Sequence, residues 1–158
     1  DGSYVGRGGP NCEFAACPAT STGQSDLEIS FTYPDKLGTK YITLLNEGEF
    51  RPKARLVNKP FTCTEDTVVE NGKKQVVKKT VNGTVYCVSR EDEGAVGSTF
   101  SNYEYAFARE NKTLALSFTL RFSGCYNYDE PVKSECEKEQ KSFDLDTLVD
   151  QAVKSIRL

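Results

Sequence analysis

The stretch TFSNYEYAFARENKTLALSFTLRF, residues 99–122, decides the fold. Its first half sets Tyr103, Tyr105 and Phe107 at every second position. Its second half does the same with Leu114, Leu116, Phe118, Leu120 and Phe122. A period of two is that of a strand with one buried face. Between the halves, Glu110-Asn111-Lys112 supplies a turn. Aromatic and aliphatic pairs facing each other across such a hairpin contribute from a few tenths to about 1 kcal/mol each. We therefore place residues 99–122 at the centre of an antiparallel sheet.

Toward the C-terminus the chain first makes a polar excursion over residues 125–141, bracketed by Cys125 and Cys136. It then closes with a helix. Asp144 is its cap, and Leu145, Leu148, Val149, Ala152, Val153 and Ile156 recur at helical spacing on one stripe. Lys154 and Arg157 stand in the last turn, where positive charge complements the helix dipole. The apolar stripe requires the helix to lie across one face of the sheet.

Toward the N-terminus, two Asn-Gly pairs punctuate residues 66–89. Asn71-Gly72 and Asn82-Gly83 fit two-residue hairpins, so the reading is a meander of strands at 66–70, 73–81 and 84–89. Lys73, Lys74, Lys78 and Lys79 give its middle strand a solvated character. Further strands are expected at 54–58, at 41–45 before Asn46-Glu47-Gly48, and where Ile29, Phe31 and Tyr33 alternate before Pro34-Asp35. Residues 1–25, rich in Gly and Pro, read as a flexible lead-in or tether. The expectation is a single α+β domain over residues 26–158. It is an antiparallel sheet of about six or seven strands with a C-terminal amphipathic helix across one face.

The chain of 158 residues carries six cysteines and no histidine. An even cysteine count without CxxC or histidine points to disulfides and away from zinc. The expected pairing is local: Cys12–Cys17, Cys63–Cys87 and Cys125–Cys136. In a regular meander Cys63 and Cys87 would stand two strands apart, about 9–10 Å, beyond the reach of a disulfide at about 7 Å. Cys63 must therefore leave the sheet. Oxidised cysteines place the chain outside the cytoplasm: in a periplasm, at a cell surface or secreted. Methionine is absent, so Asp1 reads as the start of a processed product whose removed leader could have carried an anchor. No apolar run reaches the length of a membrane span. A net charge of −3, with 20 basic and 23 acidic residues well mixed, argues against a nucleic-acid surface.

Without histidine, imidazole bases and His-bearing metal sites are excluded. Ser101, Ser117 and Ser123 fall on strands, where alternation accounts for them. Glu91, Asp92 and Glu93 read as a surface turn before Gly94, and Asp144, Asp146 and Asp150 as acids near a helix start. No catalytic or metal residue and no cofactor is assigned. The binding candidates are Tyr126, Tyr128, Asp129 and Glu130, on the loop stapled by Cys125 and Cys136. Tyrosines beside acids suit a sugar or a cation, and Asp129 with Glu135 could form a glycosidase pair. The sequons at Asn82 and Asn111 both fall in expected turns.

Phe31-Thr32-Tyr33-Pro34 near the domain start, the antiparallel sheet and a final helix ending in Ser155-Ile156-Arg157 together resemble the PsbP-like domains. The likeness covers roughly residues 26–34 and 99–158. The segment Cys125-Tyr126-Asn127-Tyr128-Asp129-Glu130-Pro131 also looks like small bacterial envelope proteins. The resemblance implies an α/β/α sandwich and a non-catalytic binding or accessory role; it transfers no functional residue. The expected function is a non-enzymatic, extracytoplasmic binding domain whose partner is another protein or an envelope polymer. A secreted inhibitor or effector using the loop at 125–136 is the alternative, with a carboxylate-dependent glycosidase behind it.

Overall fold

The computed structural model describes residues 29–66 and 74–157, and the backbone of Arg7–Gly8 (β1) and Glu13–Phe14 (β2). β1 and β2 pair as a short antiparallel ribbon inside the stretch read as a lead-in. Cys12, Cys17, Lys73 and the Asn71-Gly72 turn lie outside the described residues.

Six strands form one antiparallel sheet. They are β3 (Ile42–Leu45), β4 (Lys53–Val57), β5 (Gln75–Val81), β6 (Thr84–Ala95), β7 (Ser98–Arg109) and β8 (Lys112–Ser123). The order is β3-β8-β7-β6-β5, with β4 also on β8. The β7–β8 hairpin is central, and its register sets Tyr105 opposite Leu116 and Phe107 opposite Leu114. β3 and β4 share the outer edge of β8, facing residues 119–122 and 113–117 respectively. Asn82 and Gly83 both have positive φ, 49° and 84°, as a two-residue hairpin turn between twisted strands requires.

The register gathers most of the large buried apolar side chains of the strands on one face. Ile42, Leu44, Tyr86, Val88, Tyr105, Phe107 and the even positions 114–120 of β8 form the core there. Helix α2 (Leu145–Lys154) covers it with Leu145, Val149 and Ala152. Asp144 caps this helix, its carboxylate accepting from the backbone N–H and the hydroxyl of Thr147. The opposite face is polar. It carries an ion pair from Arg55 to Glu104 at 2.8 Å and hydrogen bonds from Thr119 to Asn102 and from Arg121 to Ser98.

Three expectations need correction, and the cysteine pairing is met where it falls among the described residues. The polar excursion at 125–141 is mostly helix: a short 3-10 turn over Cys125–Asn127 leads into α1 (Val132–Ser142), so two helices follow the sheet. β6 continues to Ala95, so Glu91, Asp92 and Glu93 belong to a strand and the turn is Val96-Gly97. Pairing with β7 holds these polar residues extended where their own composition favours a turn. Residues 29–33 keep their alternating burial but do not join the sheet. The backbone of Ser30 is bonded in both directions to Arg157 after α2 instead. Finally, two of the three expected disulfides fall among the described residues, Cys63–Cys87 and Cys125–Cys136. Cys63 does leave the sheet: it sits in an irregular segment, with its alpha carbon 5.4 Å from that of Cys87.

Candidate groove on the helical face of the sheet

The lengths of the elements create an opening. A helix of ten residues spans about 15 Å, whereas a strand of twelve spans about 40 Å. α2 therefore covers only part of β6, β7 and β8. The uncovered part forms a groove of about 720 Å³, within the range of ligand sites. Its inner part is the rung of Val77, Val88 and Tyr105, with Lys79 one rung beyond. Further along the strands come Gln75, Arg90 and Tyr103 on one rung, and Asp92 beyond them. Phe122 and Thr99 complete the sheet side. Gln140 at the end of α1, with Phe143 and Asp144 between the helices, forms the wall.

Alternation places the charged side chains side by side. Arg90 and Asp92, two residues apart on one face of β6, are joined by an Nε–Oδ1 contact of 2.8 Å. The same Asp92 oxygen accepts from the Ser101 hydroxyl at 2.6 Å. The Arg90 guanidinium also stands over the Tyr103 ring, 5.6 Å from its centroid. Across the groove, Asp146 receives Lys79 Nζ at 3.0 Å and the Tyr105 hydroxyl at 2.6 Å. Burial pushes the Tyr105 phenol far above its ordinary range, and the bond to Asp146 pushes it further. Burial likewise raises Tyr103, with Arg90 pulling the other way. Both phenols thus keep their protons at neutral pH, and Tyr105 donates its own to Asp146. Arg90 ends raised: burial pulls it down, but the bond to Asp92 and the charge interactions with Tyr103 and Asp92 prevail.

The committed lone pairs limit the chemistry. Both oxygens of Asp146 are engaged, and one of Asp92. Open groups in the groove include the second Asp92 oxygen, the Arg90 Nη groups, the Gln75 amide, the Thr99 hydroxyl and the Gln140 amide oxygen. Such a surface binds by hydrogen bonds, with aromatic rings beside them. No three Cys, Asp or Glu side chains converge as a metal set among the described residues.

The residues singled out in the sequence stand elsewhere. Tyr126 is 74% exposed. Tyr128 packs its ring against Tyr41 at 5.6 Å. The Glu130 carboxylate accepts from the Ser134 hydroxyl and N–H in the first turn of α1, and the Asp129 carbonyl accepts from the Lys133 N–H. Glu135 turns to Lys40 and the Tyr41 hydroxyl. None of these lines the groove. Arg90 and Asp92 escaped the sequence reading although a signal existed. They continue the even positions Tyr86 and Val88, which are buried, and charged residues that prolong a buried stripe mark where a core opens into a site.

No family model matches this chain, and no curated protein or solved structure shows significant similarity to it. The functional reading therefore rests on the chemistry of the groove.

Proposed function

We propose that this protein is a non-catalytic extracytoplasmic binding domain that holds its ligand in the groove between β5–β8 and the helix pair. The groove itself carries the reading: a volume of about 720 Å³, aromatic walls and a few convergent polar groups are the usual features of a binding site. The absence of histidine from the chain and the engagement of Asp146 on both oxygens favour binding over proton transfer. The two disulfides suit an oxidising compartment, and among the described residues no helix is long and apolar enough to cross a membrane. The resemblance to PsbP-like domains points to the same kind of role.

A second reading has its own observation. Val96 and Tyr126 are fully and largely exposed, and the Val96-Gly97 turn is tied to the Tyr126 turn through bonds from Gly124 and Asn127 to the Gly97 carbonyl. That end of the sheet would serve an inhibitor or effector docking on a protein. Amide chemical-shift mapping with a fragment library separates the two. Shifts gathered at residues 88–92, 99–105 and 140–146 are expected; shifts confined to residues 96–97 and 124–128 would overturn the groove as the site, and turnover of a bound fragment would overturn the non-catalytic role.

A further inference from the structure

We infer that the ligand of this groove is a neutral, polyhydroxylated molecule, a saccharide unit, held by its vicinal hydroxyls on Arg90 and Asp92. The inference rests on the groove being the binding site and concerns what fits it.

Charge comes first. The cations Lys79 and Arg90 each already face a carboxylate, at 3.0 and 2.8 Å. An anionic ligand on the Arg90 Nη groups would compete with Asp92 and face Asp144 and Asp146, and a cationic ligand on Asp92 would compete with Arg90. Either competition weakens a charge-assisted hydrogen bond, and those are the strong ones. A neutral ligand displaces neither.

Hydrogen-bond capacity comes second. Arg90 offers its Nη donors and Asp92 its second oxygen from adjacent positions on one strand face. A hydroxyl both donates and accepts. Two hydroxyls on neighbouring carbons can therefore bridge the pair, one accepting from Arg90 and one donating to Asp92, without breaking the Nε–Oδ1 contact. The Gln75 amide, in register with Arg90, provides a further donor and acceptor.

Apolar surface comes third. Tyr103, Phe122 and Phe143 line the same groove. A pyranose ring presents C–H groups on its faces and hydroxyls around its rim, so aromatic walls beside a charged, compensated floor match both. A purely apolar ligand would leave the floor groups buried without partners.

The test uses the full chain, oxidised, in titrations followed by amide chemical shifts and calorimetry. The probes are neutral trisaccharides (maltotriose, cellotriose, chitotriose), with citrate and spermidine as charged comparators and co-sedimentation on insoluble glucan and chitin as the polymer arm. Saturable binding of at least one neutral probe, in solution or as a polymer, with shifts at residues 90, 92 and 103 is expected. Asp92→Asn and Tyr103→Ala should weaken it roughly tenfold or more, while Arg55→Ala on the opposite face leaves it unchanged. Thermal melts establish that each variant is folded, and Arg90→Lys, which keeps the charge but loses the fork, provides a milder loss. Binding of citrate or spermidine in the groove without any neutral probe would overturn the saccharide assignment and leave the groove as a site. Saccharide shifts located away from the groove would overturn it too. No probe or library fragment entering the groove would remove both readings.

Discussion

Asp150 shows how one side chain ties a helix to the sheet. It is 4% exposed, and its carboxylate accepts from Asn82 Nδ2 at 2.7 Å and from Lys154 Nζ at 2.6 Å. Lys154, then Asn82, hold its pKa below the ordinary carboxylate value of 3.8. The sign follows from proton counts. As pH falls below that value the unfolded chain takes up protons before the folded one does. This contribution to stability is therefore complete above the ordinary value and lost as pH drops through the depressed one. The Lys154 end is solvated and adds little, so the Asn82 bond matters more. Asp150→Ala should lower stability near neutral pH by about 1–3 kcal/mol, and its urea midpoint should fall less steeply with acid than that of the parent. Equal acid slopes in parent and variant would show that Asp150 is not the group that titrates.

Helix α1 depends on its surroundings in a way α2 does not. Its sequence, VKSECEKEQKS, buries Cys136 alone, so it has no apolar stripe to hold it. Its fastenings are the bond from Gln140 Nε2 to the Ser123 carbonyl at 2.7 Å, the Glu139 carboxylate on the Lys40 and Tyr41 N–H groups, and the disulfide to Cys125. A crosslink closing so short a loop contributes about 3 kcal/mol on the chain-entropy model. In a Cys125→Ser/Cys136→Ser variant, hydrogen exchange should accelerate across residues 132–142 while the centres of β7 and β8 stay protected. Undiminished protection of α1 would mean that its polar bonds suffice. Because Gln140 and Phe143 wall the groove, the same variant should also bind more weakly there. The missing stripe is the reason this helix was read as a polar excursion.

At the scale of the molecule, the Cys63–Cys87 disulfide joins the irregular segment before β5 to the polar face of the sheet. Beside it the Glu65 carboxylate accepts from the Lys78 N–H at 2.8 Å, and Asp66 pairs with Val76. The segment thus covers the outer edge of β5, where an open strand invites association. Cys63→Ser/Cys87→Ser should lose about 3 kcal/mol or slightly more and form dimers or larger species in light scattering. A monomer with an unshifted unfolding midpoint would take this crosslink out of the account. Much of this architecture is local in origin and so was legible. The alternation at 99–122 set the central hairpin, Asn82-Gly83 set a turn, Asp144 and the stripe after it set α2, and cysteine spacing gave both described pairings. What tertiary structure alone decided depends on partners distant in the chain. β6 runs on through Glu91, Asp92 and Glu93 because β7 supplies its bonds, and Ser30 stands outside the sheet with its backbone bonds taken by Arg157, far along the chain. The groove exists because a helix of ten residues is shorter than the strands it lies on, a mismatch between two elements that neither segment carries in its own sequence.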